Sequence, residues 1–475
     1  MGTVRIRECG RRFLIVLVVV GLTVAALGGP VAAADDWDPR IADIAHDVER
    51  LRGLEFDHPV PIDVLGDKAF EHRLLAGGAP TRRDRKEWDE TQAAFLAMGL
   101  LDKRVGYDAV RRASGTNVAG FYDPDLRAIV VRGSRIKDPQ TRVVLAHELT
   151  HALQDQHFGI AALEQRAAKA DSLFTKALIE GDATNVERQY YATLTADDQE
   201  AASAADDEAL AEATPLPPFL QAVSIAPYLF GADAVAVLWA LGGQRRLDAT
   251  MTTPPTRDLG LVDPTALVGP HEWVRVPAPP LGRLEVELGD PFPMDAVGLY
   301  LVLAEHLPWT DALVAAERWG GDRAVAFTRA GQPCVRMRYA GRHGVEDAVA
   351  IGDAFRRWEA AGGTATEVKQ DREQTTITLC DTLGRAAGPA PTPPAQAMIG
   401  LSIRNSLVAE GLGDGASLRS AKCTADRLAR LPEVATLVAS VQSLQEEVSE
   451  ESGENLRRAI RANHHASQRA CAAAA

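Results

Sequence analysis

DPQTRVVLAHELTHALQDQHF, residues 138–158, is the stretch on which the reading of this chain turns. Asp138 suits a helix N-cap and Pro139 the first helical position. Val143, Val144, Ala146, Leu149 and Leu153 then recur at helical spacing. Inside the helix lies His147-Glu148-Leu149-Thr150-His151, the pattern H-E-x-x-H. Residues i and i+4 share one face of a helix, so the two histidines can converge on one ion, and neutral imidazole suits zinc. Glu148 then points beside the ion, where it can take a proton from a water and hand it to a leaving amine. The reaction class this implies is metal-assisted amide hydrolysis.

The flanks give the motif a context. Two strand-like runs, 118–122 and 127–131, are separated by the turn signal Asp123-Pro124-Asp125. A strand pair followed by a capped helix is the setting in which such a motif works. A catalytic zinc needs a third protein ligand and an open fourth position. Glu180, in Glu180-Gly181-Asp182-Ala183 on a second helix expected over 161–194, is one candidate, with the glycine allowing close approach of a neighbouring backbone. His157 is the other, at the position of the third histidine in H-E-x-x-H-x-x-G-x-x-H, except that Gln154 stands where glycine is expected. Ten helical residues advance about 15 Å, so His157 reaches the ion only if the helix breaks near 154. Glutamine resists the left-handed turn that a glycine permits, which favours Glu180. The plainer alternatives are a structural pair of helix histidines, an exposed carboxylate at Glu180 and a carbonyl-capping His157.

Outward from this centre, the chain has the ordinary composition of a globular protein. Of its 475 residues 46% are hydrophobic and 24% charged, and the length suggests two or three domains or an enzyme domain with appendages. With 51 Lys+Arg against 65 Asp+Glu the formal charge is -14, and no basic stripe follows the N-terminus, so nucleic acid is not an expected partner. Arg5, Arg7, Arg11 and Arg12 precede an apolar run over 13–27 and then Ala32-Ala33-Ala34, the three parts of a secretory signal peptide. Export without stable membrane insertion is the expectation, an uncleaved anchor being the alternative. Beyond Cys9 the mature chain keeps Cys334, Cys380, Cys423 and Cys471. In an oxidising compartment these can form two disulfides, and Cys334 with Cys380 and Cys423 with Cys471 is the expected pairing because each pair falls within one block.

The remaining segments read as follows. Residues 35–115 form an N-terminal helical layer, with helices over 39–51, 84–98 and 101–112 and a β-like run at 59–65. Residues 116–310 are the catalytic region. Within it 195–213, rich in Ala, Asp and Glu, reads as a solvated excursion, 219–241 as an apolar helix ending at Gly242-Gly243, and 252–280 as an irregular proline-rich loop. Residues 311–383 form a small α+β block in the order strand, strand, helix, strand, strand. Residues 384–475 are a Pro/Ala linker and a charged helical tail. The fold class expected is α+β.

Gly120-Phe121-Tyr122, HELTHALQDQ at 147–156 and Glu180-Gly181-Asp182-Ala183 together resemble secreted bacterial zinc metallopeptidases of the zincin type. The layout is similar to the gluzincins, and the Glu-Gly-x-Ala run to the third-ligand motif of their aminopeptidase branch. The likeness covers roughly residues 48–353, with Trp319-Gly320-Gly321-Asp322-Arg323 as a further familiar run. It implies a zincin-like catalytic domain, a zinc cofactor, a peptide or protein substrate, His147, His151 and Glu180 as metal ligands and Glu148 as general base. Thr184 departs from the pattern, standing where many gluzincins carry an aspartate that orients a ligand histidine; Asp182 and Asp155 are the candidates to replace it. His271, Arg257 and Tyr190 are candidates for stabilising an oxyanion. Other functions compatible with the sequence are a non-catalytic binding or scaffold protein with a vestigial metal site, its surface in 334–381, and a hydrolase of cell-wall material.

Overall fold

The computed structural model describes residues 36–74, 81–116, 118–133, 136–170, 172–212, 216–269, 272–364, 366–371, 373–381, 392–441 and 450–472. The expected signal peptide, His271 and the linker residues 384–391 lie outside these residues. The class is α+β, as expected. A small sheet of β1 (Ile62–Leu65), β2 (Gly120–Asp123) and β3 (Ala128–Arg132) has the order β1-β3-β2, with β1 parallel and β2 antiparallel to β3. A larger antiparallel sheet joins β4 (Glu285–Phe292), β5 (Trp319–Arg329), β6 (Gln332–Gly341), β7 (Thr366–Gln370) and β8 (Gln374–Cys380) in the order β4-β5-β6-β8-β7.

The motif helix runs Pro139–Phe158 with its proline in the first turn, and it packs on β2 and β3. Leu145, Ala146, Leu149, Ala152 and Leu153 bury against Ile129 and Val131 of β3 and against Ile41, Ile44, Ala45 and Val48 from the region of the helix Ala42–Arg52. Its other side meets the helix Leu173–Thr193, called the ligand helix for the candidate ligand Glu180 that it carries, so polar residues of the motif are buried as well. The single helix expected over 161–194 is two, Ile160–Ala170 and the ligand helix, the second starting with Ser172 as N-cap. The serine hydroxyl accepts from the amide of Phe174 and so offers a new start.

The long helix Pro218–Thr252 lies across the ligand helix. It is long and apolar enough to span a membrane, yet 78% of its apolar window is buried inside the molecule, as in a core helix. Gly242 and Gly243 interrupt it, and the chain resumes helical geometry to Thr252. The two helices touch at glycines. A Cβ on Gly181 would sit 2.0 Å from the carbonyl carbon of Gly231, and one on Gly231 would sit 1.8 Å from the carbonyl oxygen of Ala177. Gly181 therefore sets the separation of the helices next to Glu180. Gly181→Ala is expected to cost about 1–3 kcal/mol of stability through overpacking, read as a lower urea midpoint at unchanged m-value. An unchanged midpoint would show that the contact is not tight.

Other segments differ from expectation. The stretch 195–213, expected as a solvated excursion, is largely exposed but helical: Ala196–Glu212 packs on the motif helix with Ala202 and Ser203 buried, Ser203 meeting the hydroxyl of Tyr191. β4 has no counterpart among the expected strands. It is the edge of its sheet, with a bulge after Leu288, Gly289 at positive φ and Pro291, a pattern tolerated only at an edge. The C-terminal segment includes a helix, Pro394–Gly413, that packs on the long helix with Met398, Leu401 and Val408 fully buried, so it is part of the core. Both disulfides pair as expected. Cys334–Cys380 joins directly opposed residues of β6 and β8, and Cys423–Cys471 ties the helix Leu418–Leu428 to Glu450–Ala472. Two structural disulfides point to an oxidising environment.

Candidate metal centre

Two elements bring His147, His151 and Glu180 together. The first two lie one turn apart on the motif helix, and Glu180 comes from the ligand helix packed beside it. One ligand atom from each falls within 4.8 Å of the others, and all three residues are buried. The Nε2 atoms of the histidines are 3.0 Å apart, and Oε2 of Glu180 stands 3.5 Å from His147 Nε2 and 3.3 Å from His151 Nε2.

The outer nitrogens decide what the inner ones can do. His147 Nδ1 donates to Glu187 Oε2 at 2.8 Å. His151 Nδ1 donates to Gln154 Oε1 at 3.0 Å. The Gln154 amide is itself fixed, because its Nε2 donates to the Ile179 carbonyl at 3.0 Å and to Asp182 Oδ2 at 2.9 Å. Arg52, buried, holds Asp182 through Nε at 2.8 Å and Asp248 through Nη2 at 2.6 Å. With both Nδ1 atoms carrying protons toward oxygen acceptors, both Nε2 atoms present lone pairs to each other. Glu180 Oε2 joins them and has no hydrogen bond of its own. Three buried lone-pair donors facing one point are satisfied by a cation, and this group can hold a metal ion.

The electrostatics agree. Burial works against an imidazolium at His147 and His151, yet Glu180, with Glu187 beside His147, outweighs it and raises both proton affinities. Burial would lift Glu180, but the two histidines hold its carboxyl far below the usual carboxylate range. The pocket stabilises positive charge at its centre.

Glu148 stands beside this group. Its Oε2 accepts the amide of Tyr122, on β2, at 2.7 Å, while Oε1 is buried without a hydrogen bond. Burial raises its pKa, and His147 and His151 oppose the rise. The group therefore takes a proton more readily than a free glutamate.

His157 lies elsewhere. The helix continues unbroken through Gln154 to Phe158, with Gly159 as its left-handed C-cap, and His157 Nε2 donates to the Glu55 carbonyl at 2.8 Å. Of the candidates for orienting a histidine, Asp182 acts only through Gln154, and Asp155 accepts the Tyr122 hydroxyl at 2.9 Å. Thr184 is buried beside them, and the carboxylate on His147 is Glu187, two turns beyond Glu180. Tyr190 packs among the apolar side chains below the motif helix, and Arg257 is turned to the Ala170 carbonyl and Asp295. Neither faces the group. Tyr228 of the long helix does. It is buried and stacked on His147 at 6.1 Å between ring centroids, and burial, with the charges of Glu180 and Glu148 nearby, raises its pKa well above that of a free phenol. Its signal in the sequence is a tyrosine three residues before Gly231 in an apolar helix.

A cleft of about 1400 Å³ opens on the centre. Its lining includes Glu148, His151 and Glu180, residues 121–123 of the edge strand β2, one face of the helix Arg82–Ala97, and Asp258 and Asp295. Comparison with known protein families, with curated proteins and with solved structures finds no match for this chain.

Proposed function

We propose that the chain is a secreted zinc-dependent peptidase of the zincin type. The observation that carries this is the convergence of His147 Nε2, His151 Nε2 and Glu180 Oε2, with both histidines tied outward by Nδ1. Two imidazoles and one carboxylate are a donor set suited to zinc, and three ligands beside an open cleft match a catalytic rather than a closed structural site. Zinc bound there would make a water nucleophilic near neutral pH and polarise the scissile carbonyl.

The chain's own groups do the rest. Glu148, anchored through Oε2, leaves Oε1 to take the water's proton and deliver it to the leaving nitrogen. Tyr228 supplies a hydroxyl donor for the charge developing on the carbonyl oxygen. Glu187 and Gln154 fix the ring orientations and take up the Nδ1 protons, so that Nε2 is the nitrogen each ring would turn to the ion. β2 ends its sheet on the cleft wall, where an extended peptide can lie beside it, which favours a polypeptide substrate. The paired cysteines fit an exported protein.

Metal analysis and casein cleavage test the proposal together. One zinc per chain is expected, with cleavage abolished by 1,10-phenanthroline and restored by added zinc. Purified protein that takes up no metal would refute it.

A further inference from the structure

We infer that the cleft recognises a cationic nitrogen on its substrate, an ammonium or guanidinium, and that Asp295 is the residue that pairs with it. The inference rests on the peptidase reading for the identity of the substrate as a peptide.

Three buried aspartates meet at the start of the helix Asp295–Ala304. Two are spent on its backbone. Asp322 accepts the amides of Met294 at 2.7 Å and Asp295 at 3.0 Å, and also the indole N–H of Trp319 at 2.8 Å. Asp258 accepts the amides of Ala296 at 2.8 Å and Val297 at 3.3 Å. Asp295 has no such task. Its Oδ1 receives only a long bond, 3.3 Å, from Arg257, whose same nitrogen also serves the Ala170 carbonyl and whose guanidinium lies 4.4 Å over the Trp273 ring. Its Oδ2 has no hydrogen bond, although the residue is only 3% exposed.

Asp295 also sits at φ 53°, a left-handed conformation that costs a non-glycine residue energy. Burial, then the charges of Asp258 and Asp322, raise its pKa despite Arg257. Arg257, 3.3 Å from Oδ1, only partly offsets them.

Asp295 lines the cleft that opens on His151, Glu148 and Glu180. The rest of the lining has the same sign. Asp123, 2% exposed, has an Oδ2 without a hydrogen bond, and Asp125, Glu164 and Asp290 add further carboxylates. Each basic residue of the lining faces an acid: Arg83 pairs with Glu87, Lys86 with Glu90, and Lys176 lies beside Glu164. A second metal ion is not the better occupant. Among the described residues, the ligand atoms that gather within 4.8 Å are those of His147, His151 and Glu180, and the three aspartates form no such group. A single cationic nitrogen needs one carboxylate oxygen rather than a coordination sphere, and Asp295 offers one.

The test uses the full-length zinc-loaded Glu148→Gln protein, titrated calorimetrically with three pentapeptide amides. These are acetyl-Ala-Ala-Arg-Ala-Ala, the same peptide with neutral citrulline for arginine, and the citrulline peptide with a free N-terminus. One cationic peptide is expected to bind at least about tenfold tighter than the acetylated citrulline peptide, a gain in the range of a charge-assisted contact. Gain with arginine identifies a side chain, and gain with the free N-terminus identifies an α-ammonium. Asp295→Asn and Asp295→Gly, both compatible with positive φ, should each erase that gain while leaving zinc content and citrulline binding unchanged. Equal binding of all three peptides, or a gain that survives both substitutions, overturns the inference. Because binding is measured without turnover, a protein that cleaves nothing would count against the peptidase reading alone.

Discussion

Glu180→Ala is expected to empty the metal centre, while His157→Ala leaves it filled. The geometry separates the two residues. Glu180 Oε2 stands within 3.5 Å of both ligand nitrogens and has no hydrogen bond of its own. His157 is turned to the Glu55 carbonyl at the end of an unbroken helix, about 15 Å along the axis from His147. Losing Glu180 takes away one of three ligands and the only carboxylate among them, so affinity should fall by well over the roughly 10–100-fold that follows loss of an orienting partner. Glu187→Gln provides that scale within the same protein. It keeps an oxygen acceptor near His147 Nδ1 and removes the charge, and it should weaken zinc by about 10–100-fold. Competition against a chromophoric chelator measures all three variants. If His157→Ala loses zinc and Glu180→Ala keeps it, the ligand assignment is wrong.

The centre was legible in the sequence where its parts are local. The i, i+4 spacing of His147 and His151, Pro139 at the helix start and the reluctance of Gln154 to break the helix are properties of one segment, and the structure has each of them. Gln154 does more than the sequence shows, because its amide orients His151 and links it through Asp182 to Arg52. That relay joins residues 52, 154 and 182, which no spacing rule connects. Glu187 and Tyr228 were missed for the same reason: one reaches His147 across a helix contact, and the other arrives with the long helix through the glycine pair 181 and 231.

At the level of the fold, local composition misled where packing overruled it. The polar composition of 195–213 matches its largely exposed surface but hides the helix Ala196–Glu212, which packs on the motif helix where Ala202 and Ser203 are buried. The C-terminal segment contains charged helices, but Pro394–Gly413 is apolar and buried. The block with residues 334–380 was read correctly because alternation, a 16-residue amphipathic helix over Val345–Ala360 and two cysteines all specify it locally.

Glu148→Gln is expected to keep zinc and lose turnover by about 10²–10⁴-fold, the usual span for removing a positioned general base. The substitution is nearly isosteric. The amide oxygen of glutamine can still accept the Tyr122 N–H, now made by Glu148 Oε2 at 2.7 Å, so the side chain stays in place. What disappears is the second carboxylate oxygen, which is buried, without a hydrogen bond and beside the two histidines. Burial raises the proton affinity of this carboxyl, which suits it to take a proton from water and release it to the leaving nitrogen, and an amide can do neither. Removing a buried charge also spares its desolvation, so the variant should unfold at a temperature no lower than the parent. The loss should therefore fall on kcat with KM nearly unchanged, because the peptide contacts of the cleft remain. Steady-state kinetics on one peptide, beside zinc content and thermal melting of the same preparation, separate the possibilities. A variant that binds zinc, melts normally and still turns over at the parental rate would remove Glu148 from the mechanism and leave the proton transfers without an assigned base.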